Sequence, residues 1–190
     1  MDINNIKFTD KVREIFSLSD QKAKDRKHQY IDSFHILSSI LDTQCLGKKL
    51  LEASKFDLNK LRALCDKEVD SLPVVTSISK KTEITSDLYE VLKHSETESL
   101  RLGDSYLATD ILALQIISSE RFSRIDHSGD FNVRLLKENL GLTRENGKIS
   151  QSSSEDTQNV LSEYLIDITK LAEDGKLDPV IGRDTEIRRT

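Results

Sequence analysis

Tyr30-Ile31-Asp32-Ser33-Phe34-His35-Ile36-Leu37 lies over Tyr106-Leu107-Ala108-Thr109-Asp110-Ile111-Leu112-Ala113 at an offset of 76 residues, and Ile40-Leu41 lies over Ile116-Ile117 in the same register. The match extends backwards without a gap. Thr9 meets Thr85, Val12 meets Leu88, Glu14 meets Glu90, Ile15 meets Val91, Phe16 meets Leu92 and Ser19 meets Ser95. Self-similarity at a fixed period marks two copies of one supersecondary unit. A later match, Leu50-Leu51-Glu52 with Leu135-Leu136-Lys137, requires a short insertion.

Each copy reads as helical. Val12, Ile15, Phe16, Ser19 and Ala23 in the first, and Leu88, Val91, Leu92, Ser95 and Ser99 in the second, recur at three- and four-residue spacing, the stripe of an amphipathic helix. Ser33 and Thr109 stand where N-caps of a second helix are expected. Leu58-Leu61-Leu64-Cys65 and Val133-Leu136-Leu140 add further helices. Such helices have one apolar side and cannot bury it alone, so the copies are expected to pack on each other about a pseudo-twofold axis. The fold class is all-α. Between the copies, Ser71-Leu72-Pro73-Val74-Val75 breaks the pattern, because proline disfavours helical geometry at the residue before it.

Composition agrees. Of 190 residues, 36% are hydrophobic and 32% charged, with seven glycines and two prolines, a balance suited to a soluble helical chain. A net charge of −5 argues against a nucleic-acid partner, since affinity for phosphate backbones comes mainly from Lys and Arg. The N-terminus lacks a signal-peptide pattern and no apolar run is long enough for a membrane span, so a cytoplasmic protein is expected. Cys45 and Cys65 are too few for a disulfide framework and read as reduced and partly buried. His28, His35, His94 and His127 never pair with each other or with a cysteine at i+3 or i+4, so no metal site is expected. Tyr30 and His35 read as packing residues at a helix start.

Residues 143–158 are expected to be a flexible linker: Thr143 through Asp156 include one large apolar residue, Ile149, too little to offset the entropy of ordering the segment. Beyond it, Val160, Leu161, Tyr164, Leu165, Ile168 and Leu171 form one more amphipathic helix ending near Gly175.

The run Tyr164-Leu165-Ile166-Asp167-Ile168-Thr169 through Gly175-Lys176-Leu177-Asp178-Pro179-Val180-Ile181-Gly182-Arg183-Asp184 to Thr190 resembles the start of the first AAA+ module of Clp ATPases. The double repeat before it resembles the Clp N-domain, a tandem of two four-helix halves, down to Leu102-Gly103-Asp104-Ser105-Tyr106 at its repeat junction. The resemblance implies three parts: an N-domain over 1–142, the linker, and the opening segment of an ATPase module over 159–190. Gly175-Lys176-Leu177-Asp178-Pro179 looks most like the ClpB disaggregase branch, while the Leu102 junction also suits the ClpC and ClpA unfoldases that feed a peptidase.

By this resemblance the domain binds unfolded or aggregated polypeptide, or an adaptor, through Thr9, Asp104 and Asp110, which are expected to ring a seam of exposed apolar surface. Val91, Leu92 and Ile111 fit either the floor of that groove or the core. Asp178, Pro179, Val180, Ile181, Gly182 and Arg183 are implied to contact the adenine of ATP in a longer parent. That parent would be a hexamer using ATP and magnesium in protein disaggregation under stress, and the 190-residue chain a monomer. No G-x-x-x-x-G-K-[ST] occurs, so this stretch is not expected to hydrolyse ATP by itself. Arg188-Arg189 reads as a solvated helix face.

Overall fold

The computed structural model describes residues 6–76, 83–126, 129–141, 144 and 147–156. Eight helices are named among the described residues: α1 Asp10–Asp25, α2 Ser33–Asp42, α3 Leu46–Ala53 and α4 Leu58–Asp70 in the first copy, then α5 Ser86–Arg101, α6 Thr109–Ile117, α7 Glu120–Ile125 and α8 Val133–Leu140 in the second; the helix expected from Val160 to near Gly175 lies outside the described residues. Two short strands, β1 Tyr30–Ile31 and β2 Glu83–Ile84, pair in parallel.

The repeat holds at the level of individual bonds. Thr9 and Thr85 cap α1 and α5 by accepting from the N–H groups of Val12 and Leu88. One face of α1 buries Val12, Ile15, Ser19 and Ala23, and α5 buries Leu88, Val91, Ser95 and Ser99 at the same positions, with Leu92 beside them. Ser19 and Ser95 each donate to the carbonyl four residues back, at 2.7 Å, so both buried hydroxyls are satisfied. Val91, Leu92 and Ile111 all belong to the core.

The copies exchange their leading segments. Phe8 of the first pairs with Leu107 of the second, and Ile84 of the second pairs with Ile31 of the first, two contacts related by the repeat. Phe56 and Phe131, each just before the N-cap of its last helix, meet with ring centroids 5.3 Å apart. Neither half therefore completes its core without the other.

Three expectations change. The caps of α2 and α6 are Asp32 and Ala108, one residue before Ser33 and Thr109. The last helices match as α4 with α8, capped by Asp57 and Asn132 at an offset of 75, so Leu61 corresponds to Leu136 and the match of Leu50 to Leu135 is not the structural one. Cys45 and Cys65 are fully rather than partly buried, and burial pushes their thiols up to about 11 and about 12, leaving both unreactive.

The described part of the 143–158 segment is no free linker. Ile149 and Glu155 are fully buried and Arg144 nearly so. Ile149 joins Leu46 and Ala108 in a small apolar cluster, and its carbonyl accepts from Ser105 at 2.9 Å. The repeat explains this path. After α4 the chain returns so that Val75 donates to the Lys27 carbonyl at 2.9 Å, and after α8 it returns in the same way beside Ser105. Composition missed it because one aliphatic side chain suffices when charged groups find partners. Ending the chain at residue 142 should lower stability by about 2 kcal/mol: burial of Ile149 contributes about 2 to 3 and the hydrogen bonds about 1 each, offset by the entropy of ordering the strap. Unfolding should stay cooperative in urea; an unchanged midpoint would return these residues to the status of a linker.

Candidate functional site

Thr9, Asp104 and Asp110 do come together along one seam, but they do not ring exposed surface. All three are buried. The seam is closed by the segment that follows α8. The Arg144 guanidinium grips Asp110 with two bonds, Nε to Oδ2 at 2.6 Å and Nη2 to Oδ1 at 2.9 Å, and reaches Asp104 through Nη1 at 2.6 Å. The other Asp104 oxygen accepts from the Ile149 N–H at 2.8 Å. These carboxylates hold the Arg144 guanidinium firmly protonated despite its burial.

Glu155 performs a second closure. Its carboxylate accepts from the hydroxyls of Thr9 and Thr109 and from the Thr109 N–H at 3.0 Å. Ala108 cannot cap α6 with its side chain, and Glu155 supplies the acceptor from outside the helix, where the dipole also favours negative charge. Desolvation nevertheless dominates, and burial followed by the nearby Asp110 charge pushes the carboxyl up to about 7. Replacing Asp104 and Asp110 together by Ala would strand a buried guanidinium and so disturb the fold as well as the seam.

Beside Arg144 a cleft of about 600 Å3 opens between α5, α6 and α8. Leu102, Leu114 and Leu140 form its floor; Lys137, Lys148 and Arg101 stand at its rim, Arg101 held by Glu98 at 2.7 Å. The corresponding place in the first copy measures about 240 Å3. There Arg26 replaces Leu102, Ser38 replaces Leu114 and Arg62 replaces Lys137, and ion pairs fill the gap: Lys22 and Arg62 hold Asp42 at 2.6 and 2.5 Å, and Lys22 bonds Ser38 at 2.8 Å. One fold position is thus narrowed by charged side chains in one half and wider with an apolar floor in the other. Comparing the copies for polar-to-apolar exchanges would have found it; searching for family residues did not.

His28 and His35, seven apart, meet across β1 with their ring nitrogens at 3.0 Å. Spacing at i+3 or i+4 could not reveal this tertiary pair. No group of three or more metal-ligating side chains occurs among the described residues. No helix among them is long and apolar enough to cross a membrane. His127 and the segment containing Asp178, Pro179, Val180, Ile181, Gly182, Arg183, Arg188 and Arg189 lie outside the described residues.

Residues 7–125 match the Clp repeat (R) N-terminal domain. The chaperone protein ClpB of Pseudomonas putida is 30% identical over 186 residues, and that of Chlamydia muridarum 32% over 190, each alignment covering 97% of this chain. The chain spans 22% of the length of those relatives. Among solved structures, the Hsp104 N-terminal domain from Candida albicans superposes with a TM-score of 0.69 at 17% identity, covering 78% of this chain and 99% of that one. A ClpV N-domain in complex with a VipB peptide superposes with a TM-score of 0.57 at 14% identity, covering 75% and 91%. A family match over more than half the chain and relatives aligned along nearly all of it lead to one assignment: this chain belongs to the Clp repeat (R) N-terminal domain family, in its ClpB-like form.

Proposed function

We propose that this domain captures exposed apolar segments of unfolded or aggregated polypeptides for a ClpB-like, ATP-driven chaperone of which it forms the N-terminal part. The observation that carries the reading is the cleft over Leu102, Leu114 and Leu140, about 600 Å3 in one copy of the repeat against about 240 Å3 at the same place in the other. Its apolar floor suits the aliphatic and aromatic side chains that unfolded clients share, and Lys137 and Lys148 at its rim suit acidic residues beside them. A related N-domain has been captured with a peptide, in keeping with a peptide-sized ligand. Hydrolysis of ATP with magnesium, a hexameric ring and work in the cytoplasm belong to the proposed parent, with Asp178, Pro179, Val180, Ile181, Gly182 and Arg183 contacting the nucleotide there. An adaptor protein is the second class of partner for the same surface. A ClpC- or ClpA-type parent delivering clients to a Clp peptidase is the alternative, and the ClpB relatives favour the disaggregase.

Leu102 is half-buried at the end of α5, where it packs against the edge of the core, and Leu102→Asp places a charge in the floor. It should weaken binding of a permanently unfolded protein, such as reduced carboxymethylated lactalbumin, about tenfold by fluorescence anisotropy. Leu100→Asp, at a side chain 58% exposed and outside the cleft, should leave affinity unchanged. Equal affinity in both variants would move client capture elsewhere.

A further inference from the structure

We infer that a cleft between the first half of α5 and the corner joining α6 to α7 is a second docking site, for a short turned segment of a partner protein that presents a lysine or an arginine. It shares no lining residue with the cleft over Leu102 and does not rest on the client-capture reading.

The repeat points to the occupant. At the start of α1 the chain docks a short segment of its own. The Ser152 carbonyl accepts from the Asp10 N–H at 2.9 Å, Lys11 pairs with Asp156 at 3.5 Å, and Glu155 accepts from the hydroxyls of Thr9 and Thr109. The segment is turned, with the Ser154 N–H on the Gln151 carbonyl at 3.2 Å. At the repeat offset of 76, Asp10 becomes Ser86 and Lys11 becomes Asp87. Both of these line a cleft of about 610 Å3 at the start of α5.

The exchanged residues set what the second site asks of a ligand. The counterpart of the Glu155 seat, between Thr85 and Ser33, is already served by the chain: Asp32 accepts from Thr85 at 3.4 Å, and Asp87 Oδ2 accepts from Ser33. An incoming segment therefore needs no acid there. Where Lys11 calls for an acid, Asp87 calls for a base, and its Oδ1 takes no partner among the described residues. Glu90, exposed and one turn further along α5, is also unpaired among them. The two guanidinium groups in the cleft are already matched, Arg121 by Asp32 and Arg124 by Glu120 at 2.5 Å, so the charge left open is negative. Polar valences stay open beside it. The Ser86 N–H, counterpart of the Asp10 N–H, has no acceptor among the described residues, and the buried Ser118 hydroxyl has no hydrogen-bond partner among them. Native interiors seldom leave such groups unpaired, and a bound main chain supplies what they lack.

The test is an NMR titration of the isotope-labelled 190-residue chain. The probe is an acetylated, amidated peptide with the sequence of residues 150–156 carrying Glu155→Ala and Asp156→Lys. It should shift the amides of Ser86, Asp87, Glu90, Ser118 and Ser119 with a Kd of about 1 mM or tighter. The peptide of unaltered sequence should bind about tenfold more weakly, because its acids then face Asp87 and Glu90. Glu90→Lys, a change at an exposed side chain, should weaken the altered peptide about tenfold while leaving the affinity for reduced carboxymethylated lactalbumin unchanged. Absence of shifts at these amides, shifts confined to the cleft over Leu102, or equal affinity for the two peptides would overturn the inference. So would equal peptide affinity in folded Glu90→Lys, or a loss of lactalbumin binding in that variant, which would merge the two sites into one.

Discussion

Asp32→Ala is expected to lower the free energy of unfolding by about 4 kcal/mol, the largest loss foreseen for any single substitution at a polar residue here. Asp32 is 1% exposed and serves three partners at once. It caps α2 by accepting from the Phe34 N–H at 3.1 Å, with His35 closing the capping box onto the Asp32 N–H. It also pairs with Arg121 and accepts from Thr85 at 3.4 Å, both residues of the second copy. Breaking a buried ion pair by removing one partner costs about 3 to 5 kcal/mol, and losing an N-cap about 1. Arg121 is 29% exposed and has Asp87 at 3.6 Å as a second partner, which reduces the first figure. Asp32→Asn keeps an acceptor for the cap and should recover about 1 kcal/mol. Urea denaturation with an unchanged m-value measures both variants, and a loss below about 1 kcal/mol for Asp32→Ala would show that the carboxylate does not join the halves.

Much of this architecture was legible in the sequence because helix periodicity and repetition act together. Of the stripes on α1 and α5 every residue is buried in the structure except Phe16, which is half-buried against the core, and the repeat offset places the second copy. The site was legible only in part. Thr9, Asp104 and Asp110 lie along one seam, but they are buried rather than exposed, because their partners, Arg144 and Glu155, lie in a segment whose composition suggests disorder. Low hydrophobicity argues against a core, not against a strap held by charge and backbone hydrogen bonds. The pairing of His28 with His35 and the contrast between Ser38 and Leu114 depend on tertiary placement, which neither spacing nor propensity encodes.

Position for position, the first copy uses Arg26, Ser38, Asp42 and Arg62 to narrow to about 240 Å3 a depression that measures about 600 Å3 in the second, where Leu102 and Leu114 stand. The exchanged pairs Phe8 with Leu107 and Ile31 with Ile84 couple the two halves.

Acid should expose a second large effect, hidden in the unmodified chain by cancellation. The Asp32 N–H donates to His35 Nδ1, so the His35 proton sits on Nε2 and is donated to His28, and both rings are held neutral. Burial above all holds His35 down to about 4; the Asp32 carboxylate opposes this, and His28, Arg26 and Lys22 add to it. Burial lowers His28 as well. The unfolded imidazole, near 6.5, therefore binds a proton before the folded one does, so stability present above pH 6.5 is lost as the pH falls towards 4. At about 1.4 kcal/mol per pH unit the loss from His35 reaches about 3 kcal/mol. Glu155 acts with the opposite sign. Its folded carboxyl lies near 7 against 4.5 when unfolded, so stability present below 4.5 is lost as the pH rises to 7, again by about 3 kcal/mol. Over pH 4 to 7 the two contributions offset each other. Glu155→Gln removes only the second: it should be the more stable form at pH 7 and should lose about 3 kcal/mol more than the unmodified chain between pH 7 and 4, measured by urea denaturation at each pH. Parallel curves for the two proteins would mean that Glu155 is not held buried between Thr9 and Thr109, and that the strap does not seat there in solution.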